Sequence, residues 1–156
     1  MSAFYDDLET RSAEARAADL ARDLPAQIAR AQALSGYAGR LETVAAGEVT
    51  GMSALAKLPV LRKSDLGEAQ KASAPLGGLT SKDARAFAHV FQSPGPIYEP
   101  GDTTQDWWRV GRFVHACGIG AGDIVQNCFG YHLTPAGMIF ENGARAVGAT
   151  VLPAGS

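Results

Sequence analysis

Near the C-terminal end of the chain a β-branched run, a proline-opened helix and a second β-branched run follow one another, in GDIVQNCF, TPAGMIFENGARAV and ATVLP. No other stretch restricts the possible folds as much. Thr134 with Pro135 behind it starts a helix running to about Val147, because a residue without an N–H is tolerated in the first turn. Gly148 caps its end, and the flanking runs are short and apolar, as buried strands are. Strand, helix and strand within about thirty residues predict a βαβ unit with parallel strands and a right-handed crossover. Ligands in such sheets meet the carboxyl ends of the strands, so chemistry is expected in the loops Phe129–Leu133 and Pro153–Ser156.

The first seventy residues read as helical instead. Ser12 N-caps SAEARAADLARD, a segment of good helix formers. Pro25 is expected in the first turn of a second helix capped by Asp23 or Leu24, with Leu24, Ile28, Ala31 and Leu34 as its buried stripe and Gly36 closing it. Ser53–Lys57 and Ser64–Ala72 are two shorter helical candidates, each opened by a serine. LPVLRKSDL between them is broken by Pro59, and Arg62-Lys63 reads as a solvated helix start. After APLGGL, Ala84–Gln92 is expected as a strand leading into a turn, SPGPIYEPG. Asp102 then opens a helix, with Gln105 three residues on and Val110, Phe113, Val114 and Cys117 on one face, stopped by Gly118 and Gly120. The predicted class is α/β: a helical N-terminal region over residues 1–75, then a partial, mostly parallel sheet with the βαβ unit over residues 76–156.

Charge and composition remove several function classes. Fourteen Lys and Arg against sixteen Asp and Glu give a net charge of -2, whereas a nucleic-acid clamp needs clustered cations. Two cysteines, Cys117 and Cys128, imply no disulfide framework. No apolar run approaches the roughly 20 residues of a membrane span. The start, MSAFYDDLETR, is acidic and unlike a signal peptide, so a soluble, cytoplasmic, reducing setting is expected. An apolar share of 46% is too high for a disordered chain. Glycine, at 18 of 156 residues, exceeds the roughly 7% usual share. Most of it follows Pro75, and VLPAGS puts a turn directly after a strand. That pattern suggests a piece of something longer.

Two loops carry the candidate chemistry. In SPGPIYEPG, Ser93–Gly101, Pro94, Pro96 and Pro100 offer no N–H to a phosphate and Glu99 repels one; a structural or partner-docking turn and a nucleotide contact both stand as readings. FGYHLTPAG, Phe129–Gly137, sets two aromatic rings and a histidine before a helix N-terminus. It suits an aromatic or acyl substrate with its carboxylate at the helix dipole, or a plain packing and capping role for Tyr131 and His132. His89, His115 and His132 are too scattered for a metal site. Trp107 and Trp108 are expected to supply at least one core ring. Ser93 lacks the context of a hydrolase nucleophile, and no catalytic residue is nominated.

YDDLETR, LPVLRKSDL, PLGGL, SPGPIYEPG and GDIVQNCFGYHLTPAGMIFENGARAVGATVLPAGS occur in the order found in the N-terminal portion of phenylacetate-CoA ligase-like proteins, and the chain resembles them from Tyr5 to Ser156. These belong to the adenylate-forming acyl-CoA synthetase superfamily. The resemblance implies that the chain is part of the adenylate-forming large domain. It also implies a two-step reaction: a carboxylate attacks the α-phosphate of ATP, with Mg2+, and coenzyme A then displaces AMP to give a thioester. The phosphate-embracing loop of such enzymes usually reads S-S-G-T-T-G-x-P. Ser93, Gly95 and Pro100 match it, making Ser93 and Gly95 the implied nucleotide contacts, while Pro94, Pro96, Ile97 and Tyr98 replace its donors. Tyr131, His132 and Gly137 are implied to lie near the acyl pocket, and the rings of Phe129 and Tyr131 suit an aromatic acid.

The family's adenine-contacting motifs and adenylation lysine lie in segments that would follow Ser156, so the chain alone is expected not to complete adenylation. A non-catalytic binding or interaction module reusing the fold is the alternative. Self-association through an open sheet edge at ATVLP is expected of a soluble fragment.

Overall fold

A computed structural model describes residues 3–156. The chain forms two compact units: Arg11–Asp83, and the N-terminal residues up to Thr10 together with Ala84–Ser156.

The first unit is helical. Its longest element, α1, spans Ala13–Gln32, and Ser12 Oγ caps it by accepting the Ala15 N–H at 3.1 Å. Pro25 does not start a second helix; it lies inside α1. A proline there forfeits one backbone bond, but strong helix formers flank it on both sides, so the helix continues past it. Nor does Gly36 close a helix. It sits in α2, Ser35–Leu41, where a Cβ would stand 2.4 Å from the Gly77 carbonyl oxygen. The glycine is there for close approach, and its N–H donates to the Gly78 carbonyl at 3.0 Å. That contact keeps the PLGG turn with the helical unit, which therefore runs past residue 75 to Asp83. Two short helices complete it, α3, Met52–Leu55, and α4, Lys63–Ala72. Ser53 and Ser64 fall within them rather than at their caps.

In the second unit β1, His89–Ser93, and β2, Ile97–Gly101, form an antiparallel hairpin with Ser93 opposite Ile97. Most of SPGPIYEPG is therefore strand, and the turn is confined to Pro94, Gly95 and Pro96. The alternation explains it: Phe91, Ser93, Ile97 and Gly101 are buried along one face. Gly95 supplies the φ of 125° the turn needs. The helix expected from Asp102 is also corrected. Asp106 and Arg109 adopt positive φ, 52° and 57°, which ends any helical run, and the helix α5 covers only Gly111–Ala116. Asp106 Oδ1 accepts the Gly111 N–H at 2.8 Å. Tyr5 donates to Asp106 Oδ2 at 3.3 Å, and Arg112 reaches Asp6 and Glu9 at 2.6 and 2.9 Å. Val114 is buried but Phe113 is 59% exposed. Both tryptophans pack, Trp107 edge-on to Phe87 and Trp108 against Phe91.

The parallel strand–helix–strand unit forms, but its strands are not the buried ones expected. Ile124 is 76% and Leu152 53% exposed, and only Asn127 of the first strand is buried, because two strands alone leave most of their apolar side chains uncovered. β3, Ile124–Asn127, pairs in parallel with β4, Thr150–Pro153, so that Asn127 faces Pro153. The helix α6, Ala136–Ala146, connects them, and Gly148 follows it at a φ of 85°. No helix among the described residues is long and apolar enough to cross a membrane.

Candidate functional site

The carboxyl end of β3 is organised by Asn127, whose position in the strand buries it to 4% exposure. A buried amide is costly unless paired. Its Nδ2 donates to Tyr131 Oη at 2.7 Å and to the Gly137 carbonyl at 2.8 Å, and its Oδ1 accepts the Phe129 N–H at 3.2 Å. One side chain thus holds the strand end, the loop and the first turn of α6. Gly137 closes the arrangement: its N–H donates to Gly130 O at 2.9 Å, and a Cβ there would lie 2.6 Å from that oxygen and 2.9 Å from the Tyr131 ring.

Tyr131 also donates to the Glu141 carboxylate. Burial, then that hydrogen bond and the nearby negative charge, raise its hydroxyl above the ordinary 10.0, with Asn127 acting the other way. Phe129, 49% exposed, stacks on Phe140 at 4.5 Å between ring centroids with planes 7° apart. His132 is exposed, and its carbonyl accepts the Thr134 N–H at 2.8 Å. The next residue, Leu133, has a φ of 66° and accepts the Gln92 N–H at 2.8 Å. That bond ties the strand-end loop to the hairpin.

Ser93 follows Gln92, whose N–H makes that bond, whereas Gly95 lies in the hairpin turn three residues beyond Gln92. Ser93 is 7% exposed, and its hydroxyl donates to Glu99 Oε1 at 2.6 Å. A triphosphate does not fit this hairpin, since the one matching hydroxyl is engaged by a carboxylate and the three prolines have no N–H. The Gly137 N–H, pointed to by the helix N-terminus, is likewise taken by Gly130. Sequence reasoning missed Asn127, Glu141 and Phe140. The signal for Asn127 was present as a polar residue ending an apolar strand; the other two lie mid-helix, where only packing shows their partner.

No protein-family profile matches the sequence, and no curated protein matches it. Solved structures do. A 2-hydroxyisobutyryl-CoA ligase in the post-adenylation state with R3-HIB-AMP matches at a TM-score of 0.83 and 21% identity, over 94% of this chain and 32% of the ligase. The same ligase in an open conformation with 2-HIB-AMP and CoA matches at 0.80, over 92% and 33%. In the thioesterification state it matches at 0.80, over 94% and 33%. The chain therefore has the fold of a segment of this adenylate-forming ligase, and spans about one third of its length, 32%.

Proposed function

We propose that this chain is the acyl-recognising N-terminal portion of an acyl-CoA ligase of the phenylacetate-CoA ligase kind, and that it binds a carboxylic acid without activating it alone. The reading is carried by the fold match over 94% of the chain to a ligase solved with acyl-adenylates. In this proposal the acid's apolar body lies on the exposed Phe129 ring, which Phe140 holds flat, and His132 and the loop backbone receive the carboxylate. Tyr131 and Gly137 shape the floor through Asn127. ATP, Mg2+ and CoA belong to the reaction of the whole ligase. The Ser93–Glu99 bond and the prolines leave the triphosphate without fitting donors here, and among the described residues no three His, Cys, Asp or Glu side chains gather for a metal.

Titration of the full chain with phenylacetate and butyrate, followed by the aromatic NMR resonances of Phe129 and Tyr131, tests the acid site. Saturable shifts, tighter for phenylacetate and weakened by Phe129→Ala, are expected. Acids that leave these resonances unmoved would overturn it. Carboxylate-dependent exchange of pyrophosphate into ATP by the isolated chain would overturn its inactivity.

A non-catalytic binding module is the second reading, favoured by Ser93 being occupied by Glu99. The exposed Ile124 and Leu152 of the β3–β4 pair, 76% and 53%, support self-association in either case. A monomer throughout a sedimentation dilution series would contradict that association.

A further inference from the structure

A cavity of ≈ 210 Å³ lies beside α6, lined by His89, Asp102, Trp108, Glu141, Asn142 and Arg145 among others. It shares no lining residue with the strand-end loop. Two buried side-chain atoms among the described residues have no hydrogen-bond partner, His89 Nδ1 and Asn142 Oδ1, and both residues line this cavity. Orphaned buried polar atoms are uncommon in native proteins because each forfeits its hydration. An amide Oδ1 only accepts, so what completes it must donate. Asn142 Nδ2 already faces the Thr104 carbonyl at 3.4 Å, which fixes the amide this way round.

The charges point the same way. Glu141 and Arg145 are 4.0 Å apart, and the Arg145 side chain is 73% exposed against 32% for Glu141. The cation is the better solvated and screened partner, so the carboxylate dominates the enclosed side. Asp102, which accepts the Thr103 N–H at 2.8 Å, adds a second carboxylate to the lining whatever else it contacts. Trp108 supplies an aromatic wall of the type that attracts cations. The volume is below the roughly 300 Å³ of sites for drug-sized ligands.

We propose that this cavity binds a small organic ammonium ion, whose N–H groups donate to Asn142 Oδ1, His89 Nδ1 and the Glu141 carboxylate with its carbon chain along Trp108. The site needs neither nucleotide nor acid. It adjoins the strand-end loop through Glu141, which also accepts the Tyr131 hydroxyl, and the His89 and Phe129 signals report on the two readings separately. Titration of the full chain with butylammonium and with 1-butanol, read by calorimetry and by the ring nitrogen resonances of His89, tests it. Butylammonium should bind saturably and move the His89 signals, with 1-butanol at least about tenfold weaker. Asn142→Leu should weaken butylammonium about tenfold and Asn142→Asp should tighten it. His89→Phe, checked by circular dichroism, should reproduce the loss if Asn142→Leu fails to fold. Equal binding of 1-butanol and butylammonium, or His89 signals unmoved by either because water alone fills the cavity, would overturn the proposal.

Discussion

The helical unit and the α/β unit solve the same packing problem with different polar chemistry. In Arg11–Asp83 most charged partners lie at the surface, Arg22 with Asp23 and Arg40 with Asp65, while Arg11 with Asp19 is half-buried. In the α/β unit the decisive polar groups are buried or half-buried, Asn127 under the strand end and Ser93 against Glu99. Surface ion pairs are worth little because water and salt screen both charges, whereas a buried group that loses its partner bears its whole desolvation cost. What the two units share is glycine at a close approach, Gly36 in one and Gly137 in the other. Apolar packing makes each unit compact, and the helical unit adds buried or half-buried amides of its own, Gln70 and Gln32, the latter donating to the Leu41 and Val44 carbonyls at 2.9 and 2.8 Å. What sets the second unit apart is one buried side chain, Asn127, holding three segments at once.

The strongest challenge to this contrast is at the shared feature. Gly36→Ala and Gly137→Ala each drive a Cβ into a backbone carbonyl, at 2.4 and 2.6 Å, and each should cost about 3 kcal/mol, the upper end for overpacking. Denaturant unfolding measures the loss, and hydrogen exchange should place the damage in the helical unit for Gly36→Ala and in the strand-end loop for Gly137→Ala. Damage spread evenly for both would erase the distinction between the units.

Asn127→Ala removes the partner of Tyr131, Gly137 and Phe129 at once and should cost about 2 kcal/mol, within the range for orphaned buried groups. The same variant should broaden the Phe129 and Tyr131 resonances and weaken acid binding. A change below that of a surface ion pair would mean the hub is not structural.

The pH limits should differ as well. Arg11 and Arg22 hold the Asp19 carboxyl below its ordinary 3.8, so its contribution to folding is full above that value and is lost as pH falls through the depressed one. Burial, together with Glu141 and Asp106 respectively, raises Tyr131 and Tyr5 above 10.0. Their contribution is full below pH 10.0 and is lost as pH rises through the raised values. Hydrogen exchange across a pH series should therefore show the helical unit loosening first in acid and the α/β unit first in alkali. The reverse order would contradict the assignment.

The smallest effect is expected at Arg40, whose guanidinium meets Asp65 at 2.6 Å and is about one third exposed, 35%. Arg40→Ala should cost about 0.5 kcal/mol or less and lose that effect in high salt. A salt-independent loss as large as that of Asn127→Ala would show the helical unit to depend on buried charge after all.

Much of the architecture was readable locally. Thr134, Pro135 and Gly148 bracket α6 with signals that act within one turn, and the β-branched runs on either side leave few alternatives. The failures fall where local preference is overruled. Asp102–Cys117 has helical spacing, yet Asp106 turns back to receive the Gly111 N–H and the Tyr5 hydroxyl, and a residue from the far end of the chain cannot be seen in that spacing. SPGPIYEPG has the composition of a turn, yet Ile97–Gly101 finds a partner in His89–Ser93 and becomes a strand. The candidate site divides in the same way. Phe129, Tyr131, His132 and Gly137 were reachable from the strand-end rule, whereas Asn127 as their common anchor and Glu141 as the partner of Tyr131 were not.

By itself the sequence determined the α/β class and the parallel strand–helix–strand unit, because capping, proline placement and β-branching act over a few neighbouring residues. Only the tertiary structure decided that Ser93 spends its hydroxyl on Glu99, that Gly36 and Gly137 are contact points, and that His89 and Asn142 face one cavity. Those outcomes depend on groups brought together across the fold, where the cost of burying an unpaired polar atom or of crowding a carbonyl selects the partner.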